Sequence, residues 1–120
     1  MNTLIPLNKT ARLVGSYDVV VCGGGVAGFA AAVSAARAGM KTAIVERFNS
    51  FGGTATNGNV MPISGFFHKE KRVVGGIGWE LVQRLEAMGA AQVEMPKGHV
   101  SANIELMKLE MHKVINSLSF

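Results

Sequence analysis

Cysteine is nearly absent from this sequence: Cys22 is the single cysteine in 120 residues. One cysteine forms no internal disulfide, and no cysteine or histidine spacing resembles a zinc site. The sequence therefore predicts no metal site, and it favours a reducing, cytoplasmic location.

Charge and long apolar runs are also scarce. Charged residues make up 17% of the chain, and the net charge is +4. The basic residues are scattered apart from Lys69, Lys71 and Arg72, so neither a basic stripe nor interleaved aromatic residues predict nucleic-acid binding. The longest apolar run, around residues 26–36, is too short to cross a bilayer, and the N-terminus lacks the apolar segment of a signal peptide. We expect neither a nucleic-acid partner nor a membrane partner.

Hydrophobic residues make up 48% of the chain, which is enough for one globular core. Residues 1–16 are expected to form a loosely ordered leader, and residues 17–120 the N-terminal part of an α/β domain. Three consecutive valines, residues 19–21, predict a strand that is covered on both faces, as in a parallel sheet. A helix over residues 26–38 and a strand over residues 41–46 complete a βαβ unit.

The second half of the chain is less regular. A Gly-, Asn- and Ser-rich loop follows Glu46, and residues 72–76 are a candidate edge segment. Hydrophobic periodicity predicts helices over residues 77–89 and 103–118. Between them, residues 91–100 are expected to be irregular around Pro96 and Gly98.

The glycine motif "GGGVAG" follows the first strand and opens the first helix. In this position a G-x-G-x-x-G pattern is typical of a Rossmann-like dinucleotide site. Gly23 permits a sharp turn, Gly25 lets a pyrophosphate approach the backbone, and Gly28 lets the helix pack closely. Free N–H groups at the helix N-terminus would bind the phosphates. The predicted phosphate-binding turn comprises Gly23, Gly24, Gly25, Val26, Ala27 and Gly28.

Glu46 ends the second strand, where such a site carries its acidic residue. Its carboxylate can accept hydrogen bonds from the adenosine ribose and would repel the 2′-phosphate of an NADP-type ribose. The spacing alone does not separate FAD from NAD, because both contain the same ADP half.

Residues 17–57 resemble the FAD-binding segment of glutathione-reductase-like flavoproteins, and within them an FAD-dependent oxidoreductase family with the pattern "ER…GG.AT". The matching residues are Gly23, Gly25, Gly28, Glu46, Arg47, Gly52, Gly53, Ala55 and Thr56. The resemblance implies FAD as cofactor, Glu46 at the ribose, and Gly52 and Gly53 at the start of a loop near the phosphates and flavin. It adds Arg47, Gly52, Gly53, Thr54 and Ala55 to the predicted cofactor site.

One departure from the related disulfide reductases is informative. The stretch "FGGTATNGNVMP" resembles their redox segment, but Ala55 stands at the first redox cysteine and no cysteine follows. We therefore exclude a dithiol relay, and any chemistry has to use the flavin itself. The substrate and catalytic residues are not predicted.

The chain is short for a doubly wound domain, which needs several parallel strands. We expect the N-terminal, incomplete part of an FAD-binding domain, inactive by itself and completed in some way, for example by a second polypeptide. The alternatives are a non-catalytic nucleotide-binding module, a split-gene subunit that needs a partner chain, and an NAD-binding domain.

The other candidate side chains favour structural roles. Cys22 is expected to be a small buried hydrophobic residue. His68 and His112 are expected at the solvated surface, and His99 has no recognisable partner. Trp79 is expected in a helix interface.

Overall fold

A computed structural model of the chain describes residue 6 and residues 8–95 and 98–118. Three helices and six strands are present in these residues. In chain order they are β1 (Val19–Cys22), α1 (Val26–Arg37), β2 (Thr42–Val45), β3 (Phe67–His68), β4 (Lys71–Arg72), α2 (Gly76–Ala87), β5 (Ala91–Glu94), β6 (His99–Ala102) and α3 (Ile104–Asn116).

The first three elements form the predicted βαβ unit. β1 and β2 pair in parallel, with Val19 opposite Thr42 and Cys22 opposite Val45. α1 connects them and buries Phe29, Ala32 and Val33. Both strands and the helix lie within a residue or two of their predicted bounds, so the α/β class and the Rossmann-like unit are confirmed. In the described residues the parallel sheet has two strands, fewer than a complete doubly wound domain contains.

β1 is not covered on both faces, contrary to the sequence prediction. Alternate residues point to solvent: Val20 is 53% exposed and Cys22 is exposed, while Val19 and Val21 are partly buried. Val45 of β2 is likewise 58% exposed. α1 covers one face of the strand pair, and none of the described residues buries the other. The expectation that Cys22 is buried is therefore wrong.

Two hairpins lie in the second half. β3 and β4 are two residues each, and of the predicted edge segment only Arg72 is in a strand. β5 and β6 pair over four residues, so the expectation of an irregular stretch over residues 91–100 is wrong. Gly98, at φ +66°, lies in the turn that β5 and β6 flank. Pro96 lies outside the described residues.

α2 and α3 pack with α1 around the main core. Leu85 of α2 and Met107 and Met111 of α3 are each 1% exposed. A smaller core of Phe66, Val82 and Val100 lies beside the hairpins. Trp79 packs there, with its ring centroid 5.7 Å from Phe66 and 5.8 Å from Phe67, rather than in a helix interface. A cavity of about 240 Å³ is lined by residues of all three helices and by residues 63–66 and 74.

Candidate functional site

The glycine turn joins the end of β1 to the start of α1. Gly23 has φ +100°, a left-handed conformation that side chains strongly disfavour. Its N–H donates to the carbonyl oxygen of Val45 at 2.7 Å, so the turn is tied to the end of β2. The sharp turn predicted at Gly23 is therefore present, and it brings the ends of both parallel strands together.

The N-terminus of α1 lacks a side-chain cap. Gly25 occupies the N-cap position, and the first helical hydrogen bond runs from Phe29 N–H to Gly25 O at 2.8 Å. The amides of the first turn, which include those of Val26 and Ala27, have no acceptor within the helix. No acidic residue lies in this turn, and Val26 and Ala27 are exposed. The helix itself therefore places no negative side chain in front of these amides, which suits an anion.

The glycines of the motif differ in what a side chain would meet. A Cβ atom on Gly25 would meet no heavy atom within 4 Å. A Cβ on Gly28 would lie 1.8 Å from the carbonyl oxygen of Gly23, and one on Gly24 would lie 2.6 Å from Cδ1 of Phe51. Gly24 and Gly28 are thus required by the packing of the protein itself, whereas the space in front of Gly25 is open.

Glu46 turns its carboxylate toward the glycine turn. Oε2 accepts from the N–H of Gly24 at 2.5 Å, and Oε1 accepts from the N–H of Phe48 at 2.8 Å. Hydrogen bonds from the Phe48 and Gly24 amides hold the pKa of Glu46 below its ordinary value. The carboxylate is therefore ionised at neutral pH, and each oxygen keeps a lone pair for a further donor.

The loop of residues 50–57, called here the cofactor loop, lies beside the glycine turn. Gly52 forms an isolated parallel bridge with Gly25, and its N–H donates to Gly24 O at 2.8 Å. Gly52 has φ +105° and precedes a short 3-10 helix, Gly53–Ala55. A Cβ on Gly53 would lie 3.0 Å from the Cα of Gly25. The glycine turn and the Gly52–Gly53 pair thus lie side by side, although more than twenty residues separate them in the sequence.

The cofactor loop is braced by side chains that are not in the predicted cofactor site, although Thr56 belongs to the family pattern. Thr56 is fully buried and donates from Oγ1 to the carbonyl oxygen of Phe51 at 2.6 Å. Ser50 donates from Oγ to Oδ1 of Asn57 at 2.6 Å, and the amide of Asn57 donates to Ser50 O. Polar residues on both sides of a Gly-Gly pair were the available signal, since such residues commonly close turns.

Three predicted site residues lie at the edge of this arrangement. Arg47 is exposed, and its guanidinium lies 4.8 Å from the centroid of the Phe48 ring. Thr54 is exposed, whereas Ala55 is partly buried against the main core. Their predicted contact with the cofactor stays a prediction.

The histidines differ in their surroundings. His68 is exposed, as expected. His99 is partly buried and its Nδ1 has no hydrogen-bond partner among the described residues. His112 is partly buried instead of solvated, because its ring packs against Phe51 with 4.8 Å between centroids. The interpretation of His112 as a surface residue is wrong.

Across residues 8–95 and 98–118, no cluster of three or more His, Cys, Asp or Glu side chains is arranged to hold a metal. Within the same part of the chain, no helix has the length and apolar character needed to cross a membrane.

Comparisons with known proteins support the flavoprotein interpretation. Dihydrolipoyl dehydrogenase of Vibrio cholerae is 32% identical over 102 residues, which are 85% of this chain and 19% of that protein. Dihydrolipoyl dehydrogenase of Trypanosoma brucei brucei is 48% identical over 52 residues, or 43% of this chain and 11% of that protein. Soluble pyridine nucleotide transhydrogenase of Chromohalobacter salexigens is 39% identical over 61 residues, or 51% of this chain and 13% of that protein.

The chain therefore spans less than a fifth of the length of these relatives. No solved structure matches significantly. The family described as FAD dependent oxidoreductase matches residues 18–118, which is most of the chain. That match covers both the glycine turn and the cofactor loop, and it assigns FAD, rather than NAD alone, as the cofactor. The chain belongs to the FAD dependent oxidoreductase family.

Proposed function

We propose that this chain binds the ADP half of FAD at the glycine turn and contributes that site to an oxidoreductase. The pyrophosphate would lie in front of Gly25, against the free amides at the start of α1. Glu46 would accept from the ribose hydroxyls, and the cofactor loop would cover the phosphates. FAD, when bound, supplies hydride or electron transfer; the residues of this chain bind and orient it.

The observation that carries the proposal is the open space in front of Gly25. The fold itself leaves no need for glycine there, because φ is −62° and a Cβ would touch nothing. A bound pyrophosphate supplies the reason, since its oxygens would occupy that space at hydrogen-bonding distance from the amides. An ionised Glu46 at the other end of the turn fits the sugar that follows the phosphates.

The substitution Gly25→Ala tests this interpretation. The added methyl group fits the protein but would push the pyrophosphate away from the helix N-terminus. Loss of one charge-assisted hydrogen bond predicts an affinity for FAD about ten- to a hundredfold lower. The measurement is a fluorescence titration of the purified chain with FAD, with the folded fraction checked by circular dichroism.

A matched control is available at Gly75, the N-cap of α2. It also lacks a side-chain cap, and a Cβ there would meet only the end of Arg72 at 3.8 Å. Gly75→Ala is expected to bind FAD as the wild type does. Equal FAD affinity in wild type and Gly25→Ala would remove the basis of the proposal.

The uncovered face of the β1–β2 pair supports a further part of the proposal, that polypeptide outside this chain completes the sheet. Val20 and Val45 expose more than half of their surface beside Cys22. Parallel sheets bury both faces, so we expect an added strand and an apolar cover. Maleimide labelling of Cys22 should be fast in this chain and slow in a longer or partnered form. Equal labelling rates in the two forms would contradict this part. The cytoplasm is the location that the single cysteine favours.

A further inference from the structure

The ring of His112 contacts the cofactor loop from the opposite end of the chain. His112 lies on α3 and is partly buried. Its ring centroid is 4.8 Å from that of Phe51, with 43° between the ring planes. This separation is within the range in which paired aromatic rings stabilise one another. His112 therefore joins α3 to the cofactor loop through a ring contact with a loop residue.

Phe51 in turn contacts the glycine turn. A Cβ on Gly24 would lie 2.6 Å from Cδ1 of Phe51, so the phenyl ring lies directly against the backbone of Gly24. The carbonyl oxygen of Phe51 accepts from Thr56, and the next residue, Gly52, donates to Gly24 O at 2.8 Å. The Phe51 ring and the Gly52 amide that follows it thus both join the cofactor loop to the turn.

Other contacts fix only part of this arrangement. The Ser50–Asn57 and Thr56–Phe51 hydrogen bonds hold the loop to itself, and they do not join it to the helices. Phe51 packs against the main core, and His112 covers its ring from α3. Removing the imidazole would leave the ring of Phe51 without this cover and less firmly held against Gly24, with the main core still packed against it.

We propose that His112 is a positioning residue, which holds the cofactor loop against the glycine turn through Phe51. The proposal rests on the function proposed above for that site. The contact that the structure gives His112 is with Phe51, a residue of the cofactor loop. The effect of His112 on FAD is therefore transmitted by the position of Phe51 and of the Gly52 amide that follows it.

The first test measures FAD affinity in His112→Ala and His112→Phe. Loss of one aromatic pair predicts an affinity about two- to tenfold lower in His112→Ala, and an aromatic replacement should restore it. His68→Ala removes an exposed histidine and is the matched control, with no change expected. In a Phe51→Leu background, His112→Ala should have no further effect, because the residue through which it acts is already changed.

The second test needs no FAD and separates the two proposals. Hydrogen exchange at the Gly52 amide of the free chain reports the Gly52–Gly24 hydrogen bond directly. His112→Ala should accelerate exchange there about two- to tenfold, and His112→Phe should not. If the wild type fails to bind FAD, the proposed function is wrong while the exchange result still decides the role of His112. Unchanged exchange at Gly52 in His112→Ala, or additive effects of His112→Ala and Phe51→Leu, would overturn the role of His112.

Discussion

Gly28→Ala is the substitution that the structure predicts to damage the fold most directly. The added Cβ would lie 1.8 Å from the carbonyl oxygen of Gly23, whereas Cβ atoms do not approach such atoms within 3.0 Å. The start of α1 and the end of β1 must therefore separate by about 1.2 Å. Forcing backbone apart in this way costs about 3 kcal/mol, at the upper end of values for overpacked sites.

Alanine also favours helix over glycine, by about 1 kcal/mol in a helix interior. The two effects oppose each other, and the steric one is larger, so we expect a net loss of about 2 kcal/mol. Gly78→Ala isolates the helix term, because Gly78 is also the third residue of its helix and its Cβ would make ordinary contact with Phe66 at 3.6 Å. Gly78→Ala should be more stable than the wild type by about 0.5–1 kcal/mol.

Urea unfolding followed by far-ultraviolet circular dichroism measures both variants. The decisive comparison is the difference in unfolding free energy between Gly28→Ala and Gly78→Ala, expected to be about 3 kcal/mol. If the two variants are equally stable, the close approach of α1 to Gly23 does not exist as described, and Gly28 has no packing role.

Two further predictions concern stability. Arg37 donates to both carboxylate oxygens of Glu80, at 2.7 and 2.8 Å, and Arg84 donates to one of them at 3.0 Å. The two guanidinium groups, Arg37 more than Arg84, lower the pKa of Glu80 from 4.5 to about 2. Glu80→Gln should therefore lose about 0.5–1 kcal/mol of unfolding free energy at neutral pH. This deficit should shrink as the pH falls from about 4.5 toward 2, because Glu80 of the unfolded wild type then takes up a proton while folded Glu80 is still ionised. Glu86 is exposed on the same helix, and Glu86→Gln should show no deficit in urea titrations at either pH. Met107→Ala should cost about 2–5 kcal/mol, because Met107 is 1% exposed and lines the 240 Å³ cavity; a cost below 1 kcal/mol in thermal or urea unfolding would mean that the core collapses to fill the space.

The regular elements of the first half were predictable because their signals are local. A run of valines, a glycine turn and an alanine-rich segment define β1, α1 and their connection within about twenty residues. The exposed face of β1 was not predictable from the same run. A run of β-branched residues predicts a strand that is buried on both faces. Whether an element covers the second face of β1 depends on residues far from the run or outside the chain.

The β5–β6 hairpin was missed for a different reason. Pro96 and Gly98 are strong breakers, and they outweighed the alternation of partly buried Ala91 and Val93 with exposed Gln92 and Glu94. Breakers mark the turn of a hairpin as readily as an irregular segment. The period of two in the flanking residues was the signal that separates these cases.

The contact between His112 and Phe51 had no signal in the sequence. Sixty-one positions separate the two residues, and a histidine on the margin of an apolar stripe normally faces solvent. Only the packing of α3 against the main core brings the imidazole to the loop. The sequence therefore predicted the turn that would hold the phosphates. It did not predict the side chains that hold the cofactor loop beside that turn.

The glycines of the motif are required for two different reasons. Some are required by the fold of the protein, and one is required only by the ligand. Gly23 requires glycine for its positive φ, and Gly24 and Gly28 require it for contact with Phe51 and with the Gly23 carbonyl. All three would be needed in a protein of this fold that bound nothing. Gly25 meets no such demand, because its φ is ordinary and its surroundings are open. Because the fold does not constrain Gly25, its substitution reports on the ligand. Among the motif glycines, we expect Gly25 alone to give a variant that loses FAD affinity and keeps its stability.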